Sequence, residues 1–349
     1  MSERFRRGLV VGKFAPLHRG HELVIRRALE ASDEVVVISY SKPEFPGCGP
    51  EQRERWLEAL FPRARRLVLS DERLGPLLPP NPEFTEVPAN DADATTHRRF
   101  VGFLCASILR LDVDAVFTGE DYGRAFAHAL TEYLRRHATP DAGVRHVLVD
   151  RTLGEAPVSG TAIRRDVHAH RRWLSPEVYG WFVRRVCLLG GESSGKSTLA
   201  QALARSYETE HVPEYGRELW VRRCGALAFD DLRRIAERQV ALEEVAARRA
   251  NRLLFCDTSP LTTLCYSHCM FRGADPVVER LASREYDLCV LCADDFDFVQ
   301  DGTRRDGAFR TWQQAWYLEQ LAQRRDPWML ATGSPADRVA QVREWLDGT

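Results

Sequence analysis

Residues 185–203 read RVCLLGGESSGKSTLAQAL, and this stretch decides the fold of the second half of the chain. An apolar run, a glycine-rich turn and a helix-forming segment follow one another, so a buried strand passes through a tight turn into a helix. Gly190, Gly195, Lys196 and Ser197 occupy the fixed places of the pattern GxxxxGK[ST], with Thr198 beside them. In that setting loop amides and the helix N-terminus cradle phosphate, the lysine spans its transferable end, and the Ser197 hydroxyl is a candidate magnesium ligand.

A second phosphate loop lies near the start of the chain. GKFAPLHRGH at 12–21 follows the apolar run GLVVG and opens a helical pattern. Gly12 is expected to let the chain turn, Pro16 to stiffen the loop, and Gly20 to clear the approach to the helix start. Lys13 and Phe14 sit in the loop itself, and His18 and His21 are expected to present two imidazoles from one side of the helix start. Further on, SGTAIR offers Ser159 and Thr161 as helix-capping hydroxyls and Arg164 one turn into the next helix, a set that can converge on polyphosphate. The run FTGEDYG at 117–123 ends another strand at a sheet's carboxyl edge, which makes Gly119, Glu120 and Tyr122 candidates for nucleotide contacts.

Strand-like and helical stretches alternate through both halves, which predicts two α/β domains with parallel sheets, at 1–183 and 184–349. The aromatic segment RRDVHAHRRWLSPEVYGWFVRR between them is expected to be packed helix. A net charge of −1 gives no basic footprint for nucleic acid or a membrane surface, and no run approaches a membrane span, so the cytoplasm is the expected location. Nine cysteines in apolar surroundings read as buried thiols. Lysine occurs only at Lys13, Lys42 and Lys196 among 49 basic residues, and two of the three fall inside the phosphate loops. A compact ammonium there is not replaceable by a planar guanidinium.

The second half offers further chemistry. Asp257 closes the strand RLLFCD, where a carboxylate can order magnesium or accept a hydroxyl proton. Glu214, Tyr215 and Arg217 in VPEYGRE follow an expected second strand and are candidates for the substrate: Glu214 for a ribose diol, Tyr215 for stacking on a flat base. Arg304 and Arg305 in QDGTRRDG suit a phosphate-closing lid.

Together GKFAPLHRGH and the late SGTAIR resemble the nucleotidyltransferase superfamily in its NMN adenylyltransferase form. GGESSGKS, EYGRE, CDT and QDGTR, in that order, resemble the ribosylnicotinamide kinase domain of bifunctional NadR-type proteins. The resemblance implies a Rossmann-like nucleotidyltransferase domain followed by a P-loop kinase domain. It also implies ATP with Mg2+ as cofactors, and nicotinamide riboside, NMN and NAD as substrates and products. On it, His18, His21, Lys13 and Arg164 would serve adenylyl transfer, and Lys196 and Asp257 phosphoryl transfer. Some members carry a helix-turn-helix domain, for which the first strand near Gly8 leaves no room, so operator binding is not expected. A fusion acting on another cofactor precursor and a nucleotide sensor with weakened chemistry stay open as alternatives, and a homo-oligomer is compatible with the sequence.

Overall fold

A computed structural model describes residues 4–120, 122–150 and 159–348; Asp121 of FTGEDYG lies outside the described residues. The chain divides into two compact units, Met1–Tyr179 and Gly180–Thr349. The first strand of the second unit starts at Arg184.

In the first unit five parallel strands, β1 (Phe5–Gly12), β2 (Ser32–Tyr40), β3 (Arg65–Leu69), β4 (Ala115–Thr118) and β5 (Arg145–Leu148), lie in the order β3-β2-β1-β4-β5. Val35, Val36, Val37 and Ile38 are buried, which is why the middle of β2 reads as a continuous apolar run without alternation. The helices are α1 (Arg19–Ala31), α2 (Pro50–Leu60), α3 (Asp71–Leu74), α4 (Ala94–Phe103), α5 (Gly123–His137), α6 (Gly160–Arg165) and α7 (Pro176–Tyr179). Phe100 and Phe103 of α4 and Leu130 and Leu134 of α5 pack with Leu9, Ile38 and Val116 of the sheet. Each such burial contributes roughly 1.5–3 kcal/mol. The winding direction reverses between β1 and β4, and that reversal opens a crevice at the carboxyl ends of these strands.

After Phe103, α4 widens into a π-type turn over Leu104–Leu109. One element departs from the sequence reading. The aromatic segment expected as packed helix forms only short turns, Arg171–Trp173, α7 and Gly180–Phe182. There the Asp166 carboxylate accepts the N–H groups of His168 at 3.0 Å and Ala169 at 2.9 Å, a local bond that competes with helix formation.

The second unit repeats the principle with β6 (Arg184–Leu189), β7 (His211–Val212), β8 (Leu253–Asp257), β9 (Leu288–Cys292) and β10 (Trp328–Ala331), all parallel, in the order β10-β9-β6-β8-β7. Its helices are α8 (Lys196–Ser206), α9 (Tyr215–Arg222), α10 (Phe229–Ala247), α11 (Pro260–Phe271), α12 (Pro276–Ala282), α13 (Gly307–Ala322) and α14 (Pro335–Asp347). β6 is central, flanked by β8 and β9, and its carboxyl end feeds the glycine loop and α8. Among the described residues no helix is long and apolar enough to cross a membrane.

Candidate active sites

The loop after β1 is shaped by Phe14. Phe14 adopts φ 49°, so the left-handed turn falls there and not on Gly12. Gly12 is required for a different reason, since a Cβ on it would lie 2.9 Å from the Phe14 ring. That buried ring meets His21 edge-on at 5.0 Å, and His21 stacks on His18 with ring centroids 3.7 Å apart. His18 is the N-cap of α1: its Nδ1 accepts the Gly20 N–H at 3.2 Å, which leaves the ring proton on Nε2.

Arg164 on α6 closes the other side. Its guanidinium donates to Ala15 O at 2.6 Å and to the Thr161 hydroxyl at 3.0 Å, and it stacks over Phe45 at 4.0 Å. Ser159 caps α6 by accepting the Ala162 N–H at 3.2 Å. The Lys13 ammonium donates to Asn90 O at 3.4 Å. Partial desolvation, and then the positive charge of Arg164, hold Lys13 below the ordinary lysine value, with Asp91 acting the other way. Two cations that repel each other favour an anion between them.

These groups border a cavity of about 640 Å3, the size of a nucleotide site. Gly12, Lys13, Phe14, Gly20, His21, Gly119, Glu120, Tyr122, Thr161 and Arg164 are brought to its wall. His18 and Ser159 stand behind it as helix caps. Sequence reasoning missed Tyr40, Asn90, His97 and Arg98, which line the same cavity. Tyr40 ends β2 at the carboxyl edge, the one signal that could have found it; Asn90 belongs to a loop without periodicity and is fixed by bonds to Ser41 and Pro43 O.

In the second unit Gly190 has φ 140°, and a Cβ there would meet Cys292 O and Ser194 Oγ, each at 2.7 Å. Lys196 opens α8 and turns its ammonium back onto Gly190 O and Gly191 O, both at 2.9 Å. Asp257 is paired in register with Leu188, two residues before Gly190, so its carboxylate stands beside the loop. It is buried, and its Oδ1 has no hydrogen-bond partner among the described residues.

A cavity of about 540 Å3 opens in front of this loop. Gly190, Lys196, Glu214, Arg217, Arg304 and Arg305 reach it; Gly195, Ser197, Thr198 and Asp257 belong to the loop, helix start and strand end behind. Arg217 joins Glu214 at 3.5 Å to Asp301 at 3.1 Å. Burial, and then the Asp257 charge, push the Glu214 carboxyl above the usual glutamate value, against the opposing effects of Lys196 and Arg217. Arg304 is paired with Asp301 at 3.2 Å, and the Arg305 N–H donates to Glu192 at 2.6 Å. The expected stacking residue is displaced: the Tyr215 ring packs with Leu219, Leu232 and Ile235, and the aromatics on the cavity wall are Trp220 and Tyr266. Glu192, at a free position of the loop pattern, was also missed; it accepts the Tyr266 hydroxyl at 2.8 Å.

An AAA-domain family model matches residues 185–338. The trifunctional NAD biosynthesis/regulator protein NadR of Escherichia coli (strain K12) is 29% identical over 320 residues, covering 86% of this chain and 72% of that protein. The chain is NadR-like. Solved structures of NadR protein in complex with NAD and AMP-PNP, and in complex with NR, match the NadR-like chain with TM-scores of 0.65 and 0.64 at 19% and 20% identity. They cover 99% and 97% of it, and 98% and 95% of their own chains. The NadR-like fold therefore extends through both units.

Proposed function

We propose that the chain makes NAD in two ATP-consuming steps. The kinase domain, 184–349, transfers the γ-phosphoryl group of ATP to the 5′-hydroxyl of nicotinamide riboside, giving NMN and ADP with release of the hydroxyl proton. The transferase domain, 1–183, joins NMN to AMP from a second ATP and releases pyrophosphate. One observation carries this reading: two phosphate loops in one NadR-like chain, each at the carboxyl edge of its own sheet and each opening into a nucleotide-sized cavity. The ligands named for the solved NadR structures, NAD, AMP-PNP and NR, support it. Cytoplasmic action on small molecules, without nucleic acid or membrane, belongs to the same proposal.

In the transferase domain an NMN phosphate oxygen attacks the α-phosphorus of ATP as the bond to pyrophosphate breaks. No side chain forms a covalent intermediate, so catalysis is positioning and neutralisation of charge. Lys13 and Arg164 flank the leaving pyrophosphate, and His21 on the cavity wall, backed by the stacked His18 ring, donates to phosphate oxygens. In the kinase domain Lys196 exchanges its two loop carbonyls for phosphate oxygens when ATP enters. Glu214 accepts hydrogen bonds from the ribose diol, and Arg304 and Arg305 close over the phosphates.

Magnesium fits the kinase site, because the buried Asp257 Oδ1 has no hydrogen-bond partner among the described residues and Ser197 stands at the helix start. Bound there by Ser197 and Asp257, it would neutralise phosphate charge during transfer. Incubation with nicotinamide riboside, ATP and Mg2+ tests the reading: NMN is expected first, then NAD and pyrophosphate. Formation of neither NMN nor NAD would overturn it.

A further inference from the structure

Arg338 lies outside both cavities, yet it is among the most heavily bonded side chains of the second unit. It belongs to the first turn of α14 and is 1% exposed. Its guanidinium donates to Ser194 O at 2.6 Å, Ala293 O at 3.0 Å and Gly333 O at 3.0 Å, and it is paired with Asp295. The Phe296 ring lies under it at 4.2 Å. Asp295 is itself fixed by the Gly333 N–H at 2.6 Å. Three carbonyls and a carboxylate use the fork, so a buried charge is satisfied.

The bond to Ser194 O carries a consequence for the phosphate loop. The Ser194–Gly195 peptide is trans, and a trans peptide points its C=O and the following N–H in opposite directions. Holding Ser194 O toward α14 therefore turns the Gly195 N–H away from α14. Gly195 itself has φ 81°, and a Cβ on it would stand 3.3 Å from the Phe296 ring and 3.8 Å from Arg338, so its α-carbon faces the same support. The ammonium of Lys196 meanwhile gathers Gly190 O and Gly191 O at the other end of the loop.

We infer that Arg338 is a positioning residue for ATP in the C-terminal site: it sets the Ser194–Gly195 peptide so that the loop presents its N–H groups to phosphate. It touches neither substrate nor reacting atoms. The inference rests on the reading of this cavity as a kinase site, and ATP affinity separates the two. Because loop amides bind phosphate before and during transfer, their loss raises KM for ATP more than it lowers kcat.

The test uses the full chain with Arg338→Lys, Arg338→Met and Asp295→Asn. The lysine keeps the charge but cannot fork to four acceptors, so KM for ATP in NMN formation should rise about tenfold, with a larger rise in Arg338→Met and a smaller one in Asp295→Asn. KM for nicotinamide riboside should stay within about twofold, and adenylyl transfer to supplied NMN should be unchanged. Equilibrium binding of ATP, with Lys196→Ala marking the C-terminal isotherm, gives the same answer without turnover; it remains decisive if the wild type forms no NMN. Unchanged ATP affinity in folded Arg338→Lys and Asp295→Asn overturns the proposal. Equal losses for both substrates alongside a lowered melting temperature also overturn it, since that pattern is general loosening. Asp295→Asn leaves no cavity and keeps the test available if Arg338→Met does not fold.

Discussion

At the scale of single residues, Glu214 and Gly12 make opposite kinds of claim. Glu214 is an electrostatic one. Burial and the Asp257 charge lift its carboxyl above the usual 4.5, so it takes up a proton at a higher pH than an exposed glutamate. A protonated carboxyl accepts poorly from a ribose diol, and kcat/KM for the riboside should fall as pH drops through that raised value. Arg217 favours the carboxylate, so Arg217→Met should move the acid limb to still higher pH, and Glu214→Gln should flatten it. pH profiles of NMN formation that overlay for wild type and Arg217→Met would refute this assignment. Gly12 is a steric claim. Gly12→Ala sets a methyl 2.9 Å from the Phe14 ring, which must leave its place against His21. Adenylyl transfer should then fall by about tenfold or more, as a misplacement near 1 Å costs up to ~100-fold. Kinase activity of the same chain serves as the control.

At the scale of elements, α6 and α9 show what a short helix can and cannot reveal in advance. α6 has only 6 residues and carries Thr161 and Arg164 into the first cavity, with Ser159 as its cap. Losing a cap costs ~1 kcal/mol, a factor of about five in an equilibrium. Ser159→Ala should therefore raise KM for ATP in adenylyl transfer by about fivefold without altering NMN formation; steady-state kinetics of both reactions decide the matter. The strand, glycine turn and helix start of each loop were legible because local chemistry fixes them: a buried parallel strand is continuously apolar, and Gly190 and Lys196 have few substitutes. The facing of α9 was not legible. Tyr215 and Leu219, four apart, go to the α10 side, while Gly216, Arg217 and Trp220 face the cavity. Two aromatics on an 8-residue helix fit either phase until the packing partner is known. The aromatic segment before β6 failed similarly, since the Asp166 turn outcompetes a helix that lacks a strong apolar period. Asn90 and Glu192 reach their cavities through loop bonds that no period announces.

At the scale of the whole molecule, the question is whether two sites on one chain act as two enzymes. Each compact unit has its own sheet, its own core and its own cavity, and each phosphate loop is held by residues of its own unit. A substitution in one loop should therefore leave the other reaction intact. Lys196→Ala should abolish NMN formation from the riboside but convert supplied NMN to NAD at the wild-type rate. Arg164→Ala should do the reverse, accumulating NMN with little NAD. The decisive measurement mixes these two variants with nicotinamide riboside, ATP and Mg2+. If NMN leaves the kinase site freely, the mixture makes NAD after a lag during which NMN builds up in solution, and the lag shortens as the concentration of Lys196→Ala is raised. A mixture that accumulates NMN but makes no NAD, while Lys196→Ala alone converts the same concentration of added NMN, would contradict exchange through solution. Loss of both reactions in either single variant would instead contradict the independence of the two units.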